Sequence, residues 1–173
     1  MPESEIRSQR RTGRHMMIAA WVIALGLLSL FFSDILDKQW NPNQNIQSSI
    51  SDQGAHEIRL KRNKQGHYLA RGRINGQPVT FLLDTGATLV SIPENIARKL
   101  SLKAGTRSYA NTANGVIETY NTRLDAIGIG SIELYDIAAQ INPHMHTDEI
   151  LLGMSFLKRL ELIQRGDTLT IRQ

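Results

Sequence analysis

The sequence contains no cysteine. That removes disulfide scaffolds, cysteine-ligated zinc and thiol nucleophiles, and it leaves the compartment open, because disulfide-free proteins occur everywhere. Net charge is also scarce where a folded domain would sit. Of the formal +4, Arg7, Arg10, Arg11 and Arg14 against Glu3 and Glu5 supply +2 before residue 34, leaving +2 for the rest of the chain. A body so near neutrality carries no footprint for nucleic acid. No repeat period is present, which excludes solenoids and propellers. A dinucleotide loop is missing as well: Gly128-Ile129-Gly130 meets Glu133 where a third glycine is needed. His144 and His146 could face one side of a strand, but no third ligand accompanies them. No metal site and no cofactor are therefore expected, and no Ser-His-Asp arrangement is discernible. With 173 residues, 41% hydrophobic and 21% charged, the chain has room for one globular domain with an appendage.

The appendage is at the N-terminus. Met16 to Ser33 is an 18-residue stretch without a charge, which as a helix spans about 27 Å, enough to cross a bilayer. A signal peptide has a shorter apolar region followed by a small-x-small cleavage pattern, and none follows Phe32, so an uncleaved anchor is the preferred reading. Four arginines precede it while Asp34 and Asp37 follow, and the positive-inside rule leaves the N-terminus in the cytoplasm. In a Gram-negative bacterium the body is then periplasmic, on the inner membrane. The expected organisation is a basic tail over 1–15, an anchor over 16–33, a flexible linker over 34–56 and a folded domain over 57–173. The linker reading rests on a segment rich in Asn, Gln and Ser with no periodicity, reaching about 26 Å as a coil.

From Glu57 onward the signals are mostly strands. Ile58 and Leu60 alternate with charges, His67 to Ile74 alternates again, and Asn75-Gly76 marks a hairpin before the apolar run Val79 to Leu83. Val116 to Ile129, Ile132 to Ile141 and Asp167 to Ile171 continue the pattern, with Arg165-Gly166-Asp167 read as the last hairpin's turn. A change of apolar parity near Tyr135 and Asp136 predicts a bulge or bend. Two short helices are expected, Pro93 to Leu100 and Met154 to Leu160. The body reads as all-β with minor helix.

The stretch Phe81-Leu82-Leu83-Asp84-Thr85-Gly86-Ala87-Thr88 carries the chemistry. A buried-looking strand runs straight into an acid, a hydroxyl and a glycine, so the acid is held at the rim of a rigid scaffold. Asp and Gly also end strands for purely structural reasons. What separates the two readings is Ile150-Leu151-Leu152-Gly153 some 65 residues later.

With these residues the sequence resembles the aspartic proteases of the retroviral type, most closely the single-domain, membrane-anchored retropepsin-like proteases of proteobacteria. The matching segments are LLDTGAT at 82–88, Ala113-Asn114-Gly115, and ILLGMSFLKRL at 150–160. The resemblance covers about residues 57–173. It implies one acid-protease β-barrel half with one or two short helices, here preceded by a single transmembrane helix. It implies that Asp84 is the catalytic carboxylate and that Leu151, Leu152 and Gly153 support its loop. The hairpin carrying Ala113, Asn114 and Gly115 would be a flap over the substrate. Thr85 would bond across a dimer axis, and Gly86 lets the backbone approach the carboxylate and donate an N–H to it. Ala87 matches the viral pattern, where the pepsin-like pattern has a hydroxyl that favours the ionised acid; activity nearer neutral pH is the expectation. Met154, Ser155 and Phe156 follow Gly153 where viral enzymes have an Arg, and Thr88 stands where an acid is common. The viral dimer contacts are therefore not transferable.

Carboxylate-driven activation of water needs one group as base while its neighbour holds a proton, a state that two acids about 3 Å apart reach because both cannot ionise. The chain has a single Asp-Thr-Gly. A symmetric homodimer would supply the second, and a shared membrane would raise the effective concentration of the protomers. The expectation is an aspartic endopeptidase acting on extended polypeptide; the alternative is a non-catalytic peptide-binding or dimerisation module on the same fold.

Overall fold

In the computed structural model the described residues are 3–50, 54–112 and 115–173, with side chains described from residue 13 onward except at 34 and 35. The chain divides into two compact units, Met1–Gln39 and Trp40–Gln173. The first is one helix, α1 (Glu3–Trp40), which continues one residue into the second. Its apolar side chains, Met16, Trp21, Leu27 and Phe31 among them, are exposed. Among the described residues it is the one helix long and apolar enough to cross a membrane. The helix ends as Asn41-Pro42 follows, since a residue before proline is pushed out of helical geometry.

The second unit is built from strands β1 (Gln47–Ile50), β2 (His56–Lys61), β3 (Leu69–Ile74), β4 (Gln77–Leu83), β5 (Val90–Pro93), β6 (Arg107–Thr112), β7 (Gly115–Ile129), β8 (Ile132–Asn142), β9 (Glu149–Leu152), β10 (Glu161–Arg165) and β11 (Thr168–Arg172). Helices α2 (Glu94–Lys99) and α3 (Met154–Leu157) interrupt them. One sheet runs β1-β2-β11-β10; the other runs β3-β4-β9-β5-β8-β7-β6 and closes on itself where β3 also pairs β7. Closure through Arg73↔Gly128 and Ile74↔Ile127 makes a six-strand barrel with β6 attached to the outer half of β7. The fold is all-β with short helices, as the alternation and the turn residues require.

Local chemistry explains the joints. Asn75 and Gly76 sit at φ 49° and 81°, the left-handed pair that a two-residue hairpin needs. The Asn75 side chain also accepts the Ala126 N–H at 3.0 Å, tying this turn to β7. At Asp136 the backbone takes φ 58°, yet the β7–β8 register is the same on both sides of it. The parity change is thus a bend, with no inserted residue. Both strands switch faces together, so Leu124 and Ile127 stay buried opposite Ile137 and Leu134. The core of the body gathers Phe81, Ile92, Leu124, Ile127, Ile137 and Phe156 from the barrel with Ile58, Leu60, Leu169 and Ile171 from the other sheet.

Three expectations change. The segment 34–56, expected as a flexible coil, is helical to Trp40, has Asn41 and Asn43 buried, and forms β1 against β2. Its polar residues pair with backbone groups that only the folded body brings near, which no periodicity signals. Pro93 closes β5 and caps α2 rather than opening it. α3 stops at Leu157, and three residues of turn and bend carry the chain into β10.

Candidate active site

β4 and β5 are the two arms of a loop, Asp84 to Leu89, and β9 lies between them. β4 pairs β9 in parallel through Thr80↔Glu149, Phe81↔Ile150, Leu82↔Leu151 and Leu83↔Leu152. On the far side Ser91 of β5 faces Leu151. The Asp84 loop therefore arches over the end of β9. The apolar character of both strands follows from their place in the sheet: Phe81, Ile150 and Leu152 on one face are fully buried, and Leu82 and Leu151 on the other are half-buried.

The loop is laced to the segment beneath it. The Asp84 N–H donates to Leu152 O at 3.2 Å, Met154 N–H to Ala87 O at 2.8 Å, and Ser155 N–H to Thr88 O at 2.9 Å. The Ser155 hydroxyl accepts the Val90 N–H at 3.0 Å. Gly153 is required by space: a Cβ there would lie 2.3 Å from Leu89 O and 2.6 Å from Ala87 O. Its φ of −87° is open to any residue, so close approach, and not conformation, selects glycine. Leu151, Leu152 and Gly153 thus underlie the loop. Ser155 belongs with them, and nothing in its sequence context distinguishes it from a helix-start serine.

Within the loop, the Gly86 N–H donates to Asp84 Oδ1 at 2.9 Å, and a Cβ on Gly86 would sit 3.2 Å from the same oxygen. The Ala87 N–H closes a turn on Asp84 O at 3.2 Å. Asp84 and Ala87 are half-buried, whereas Thr85, Gly86 and Thr88 are exposed. One carboxylate is therefore oriented by a backbone donor at an open edge of the body. Two clefts of the body lie elsewhere among the described residues. One of about 630 Å³ is lined by Arg71, Val79, Ile96 and Lys99 among others, and one of about 690 Å³ by residues around Lys103 and Asn121. Neither includes Asp84.

Of the hairpin residues, Gly115 opens β7 with φ 110°, and Thr112 pairs with it; Ala113 and Asn114 lie outside the described residues. The Thr112 hydroxyl donates to Gly115 O at 2.8 Å. Below the tip, Tyr109 and Val116 are exposed, while Arg107, Glu118 and Tyr120 share one face, with an Arg107–Glu118 ion pair at 3.1 Å and a Tyr120-to-Glu118 hydrogen bond at 2.8 Å. The Glu118 carboxylate that accepts the Tyr120 phenol keeps it protonated to higher pH than usual. His144 and His146 stand in the loop after β8, and among the described residues no group of three or more potential ligands could hold a metal ion.

The model of the family described as "gag-polyprotein putative aspartyl protease" matches residues 70–159. An uncharacterised protein from the cobV 5′ region of Sinorhizobium sp is 32% identical over 124 residues, which cover 69% of this chain and 53% of that protein. An uncharacterised protein of Rickettsia prowazekii is 30% identical over 108 residues, covering 61% of this chain and 46% of the relative. The chain thus spans about half the length of the curated relatives it matches. The crystal structure of a retropepsin-like aspartic protease from Rickettsia conorii superposes with a TM-score of 0.56 at 24% identity, covering 73% of this chain and 94% of the other. The match over the β4–β9 core and the shared fold place this chain in the retropepsin-like aspartic protease family.

Proposed function

We propose that this chain is a membrane-tethered aspartic endopeptidase whose working unit is a homodimer. The observation that carries the reading is Asp84 itself: a carboxylate at the end of a half-buried strand, oriented by the Gly86 N–H, on a loop laced to β9 yet exposed at Thr85 and Gly86. A turn aspartate with no role beyond ending a strand would not need a neighbouring segment whose glycine admits no side chain. One chain brings one such carboxylate to an open edge. Two loops meeting across a two-fold axis would set the pair close enough to share a proton, and a water between them would attack the peptide carbonyl with one carboxylate as base. Thr85, exposed beside the carboxylate, would bond across that axis. An extended peptide would lie between the two loops and the β6–β7 hairpins, held through main-chain hydrogen bonds with its side chains in alternating pockets. The arginines in the first turns of α1, ahead of its charge-free stretch, favour a cytoplasmic N-terminus and a periplasmic body on a bacterial inner membrane.

The test uses the full chain in detergent with a mixed peptide library. Wild type is expected to cleave, and Asp84→Asn is expected to fold and cleave nothing. Cleavage that persists in Asp84→Asn refutes the mechanism, and a folded wild type that binds peptides without cutting them supports the binding-module alternative. Activity per protomer that stays constant on dilution to the monomer refutes the shared site.

A further inference from the structure

Residues 40–43 lie outside the matched family span of 70–159, yet they grip the strand that flanks the active-site strand. β3 and β4 are antiparallel, with Leu69 opposite Leu82, and the Leu83 N–H donates to Tyr68 O at 3.0 Å. Alternation in an antiparallel ladder then turns the Leu69 carbonyl away from β4. β7 covers that outer side of β3 only at Arg73 and Ile74. Leu69 is 2% exposed, so its carbonyl needs a partner from elsewhere.

Asn43 provides it. Its Nδ2 donates to Leu69 O at 2.7 Å and to Lys61 O at 2.8 Å, and its Oδ1 accepts the Lys61 N–H at 2.6 Å. One carboxamide, 5% exposed, thereby joins the end of β2 to the start of β3 and so stitches one sheet to the other. The Asn43 N–H is itself taken by Asn41 Oδ1 at 2.9 Å. The connection between β2 and β3 is closed in the same way: Asn63 Oδ1 accepts the Gln65 and His67 N–H groups, and its Nδ2 donates to Trp40 O at 3.0 Å. A carboxamide on a short stem supplies two donors and an acceptor together, where serine has a single donor, aspartate has none and leucine has neither donor nor acceptor.

The strand bearing Asp84 is thus held on one side by Leu152 of β9 and on the other by Tyr68 and Leu69, whose free carbonyl Asn43 secures. We propose that Asn43 is a positioning residue for the Asp84 loop, acting through Leu69, so that the segment after α1 is a working part of the active site. This rests on the protease reading and deepens it.

The test is made on the full chain in detergent with Asn43→Asp and the milder Asn43→Ser, by native-state hydrogen exchange and by steady-state cleavage. Exchange at the Leu83 amide is expected to accelerate about tenfold or more, because a lost buried partner opens the strand locally. Amides of the β7–β8 ladder should be slowed or hastened far less. kcat is expected to fall about tenfold or more, with KM within about twofold of wild type, as misplacement of a catalytic group predicts. Exchange raised uniformly over both sheets, or unchanged kcat per folded protein, would show that Asn43 only stabilises and would overturn the proposal. If Asn43→Asp does not fold, Asn43→Ser carries both measurements. Absence of Asp84-dependent cleavage in the wild type sinks the protease reading instead, and the Leu83 exchange still decides whether Asn43 holds this strand.

Discussion

Replacing Gly153 by alanine adds one methyl at the point where β9 passes beneath the Asp84 loop. That carbon would stand 2.3 Å from Leu89 O, 2.6 Å from Ala87 O and 2.7 Å from Leu89 C, all backbone atoms. No rotamer change relieves contacts with backbone, so the loop itself must move by about 1 Å to regain ordinary packing distance. Overpacking of this kind costs about 1 to 3 kcal/mol, and the backbone nature of the clash places Gly153→Ala at the upper end. A loss of about 3 kcal/mol lowers the melting temperature of a domain this size by about 10 °C. The movement falls on Ala87 and Leu89, within the loop whose Gly86 N–H orients the carboxylate, so kcat should fall at least tenfold even where the protein is folded. Gly76→Ala is the control. Gly76 has φ 81° and nothing within 4 Å of a would-be Cβ, so it should cost about 1 to 2 kcal/mol through backbone strain and leave kcat alone. Calorimetry of the full chain with peptide-cleavage kinetics reads both effects. A Gly153→Ala protein with wild-type melting temperature and kcat would refute the claim that this glycine exists for the close approach.

Two further predictions follow from the same contacts. Ser155→Ala removes the acceptor of the Val90 N–H at a fully buried residue, and should destabilise by about 1 to 3 kcal/mol in denaturant titration; a change under about 0.5 kcal/mol would show that the bond contributes nothing. Glu57, 6% exposed, is held below the usual carboxylate range first by the Arg172 hydrogen bond and then by Arg59. Because its folded value is depressed, its contribution is full above the ordinary glutamate range near about 4.3 and is lost as pH falls through the lower folded value. The stability gap between wild type and Glu57→Gln should therefore be widest near neutrality and close with acid, while the acid sensitivity that remains in Glu57→Gln includes Asp136, likewise lowered by Arg123. A gap that does not narrow in acid unfolding would refute the sign.

Legibility followed the range of the interactions. The hairpin at Asn75-Gly76 and the strand Val79 to Leu83 are readable because left-handed turn geometry and a run of apolar residues leave marks on adjacent positions. β5 leaves no such mark: it is four residues long, and its partners β8 and β9 lie far along the chain. Tyr135 and Asp136 announced a disturbance, but whether a residue was inserted depended on the register of β7, which kept step. The Asp-Thr-Gly motif pointed to one acid, whereas Ser155 and Asn43 act through backbone groups that local context does not reveal.

By itself the sequence determined the all-β body, the apolar helix before it and the single Asp84 motif, because alternation, a charge-free run and a strand-acid-glycine succession are local patterns. The tertiary structure decided which segment lies beneath the loop, why Gly153 admits no side chain, and that Asn41 and Asn43 are buried parts of the body. The physical reason is that an asparagine-rich stretch carries no periodicity. Whether its amides face water or a buried carbonyl depends on where distant strands end, and for Asn43 those ends are Lys61 and Leu69.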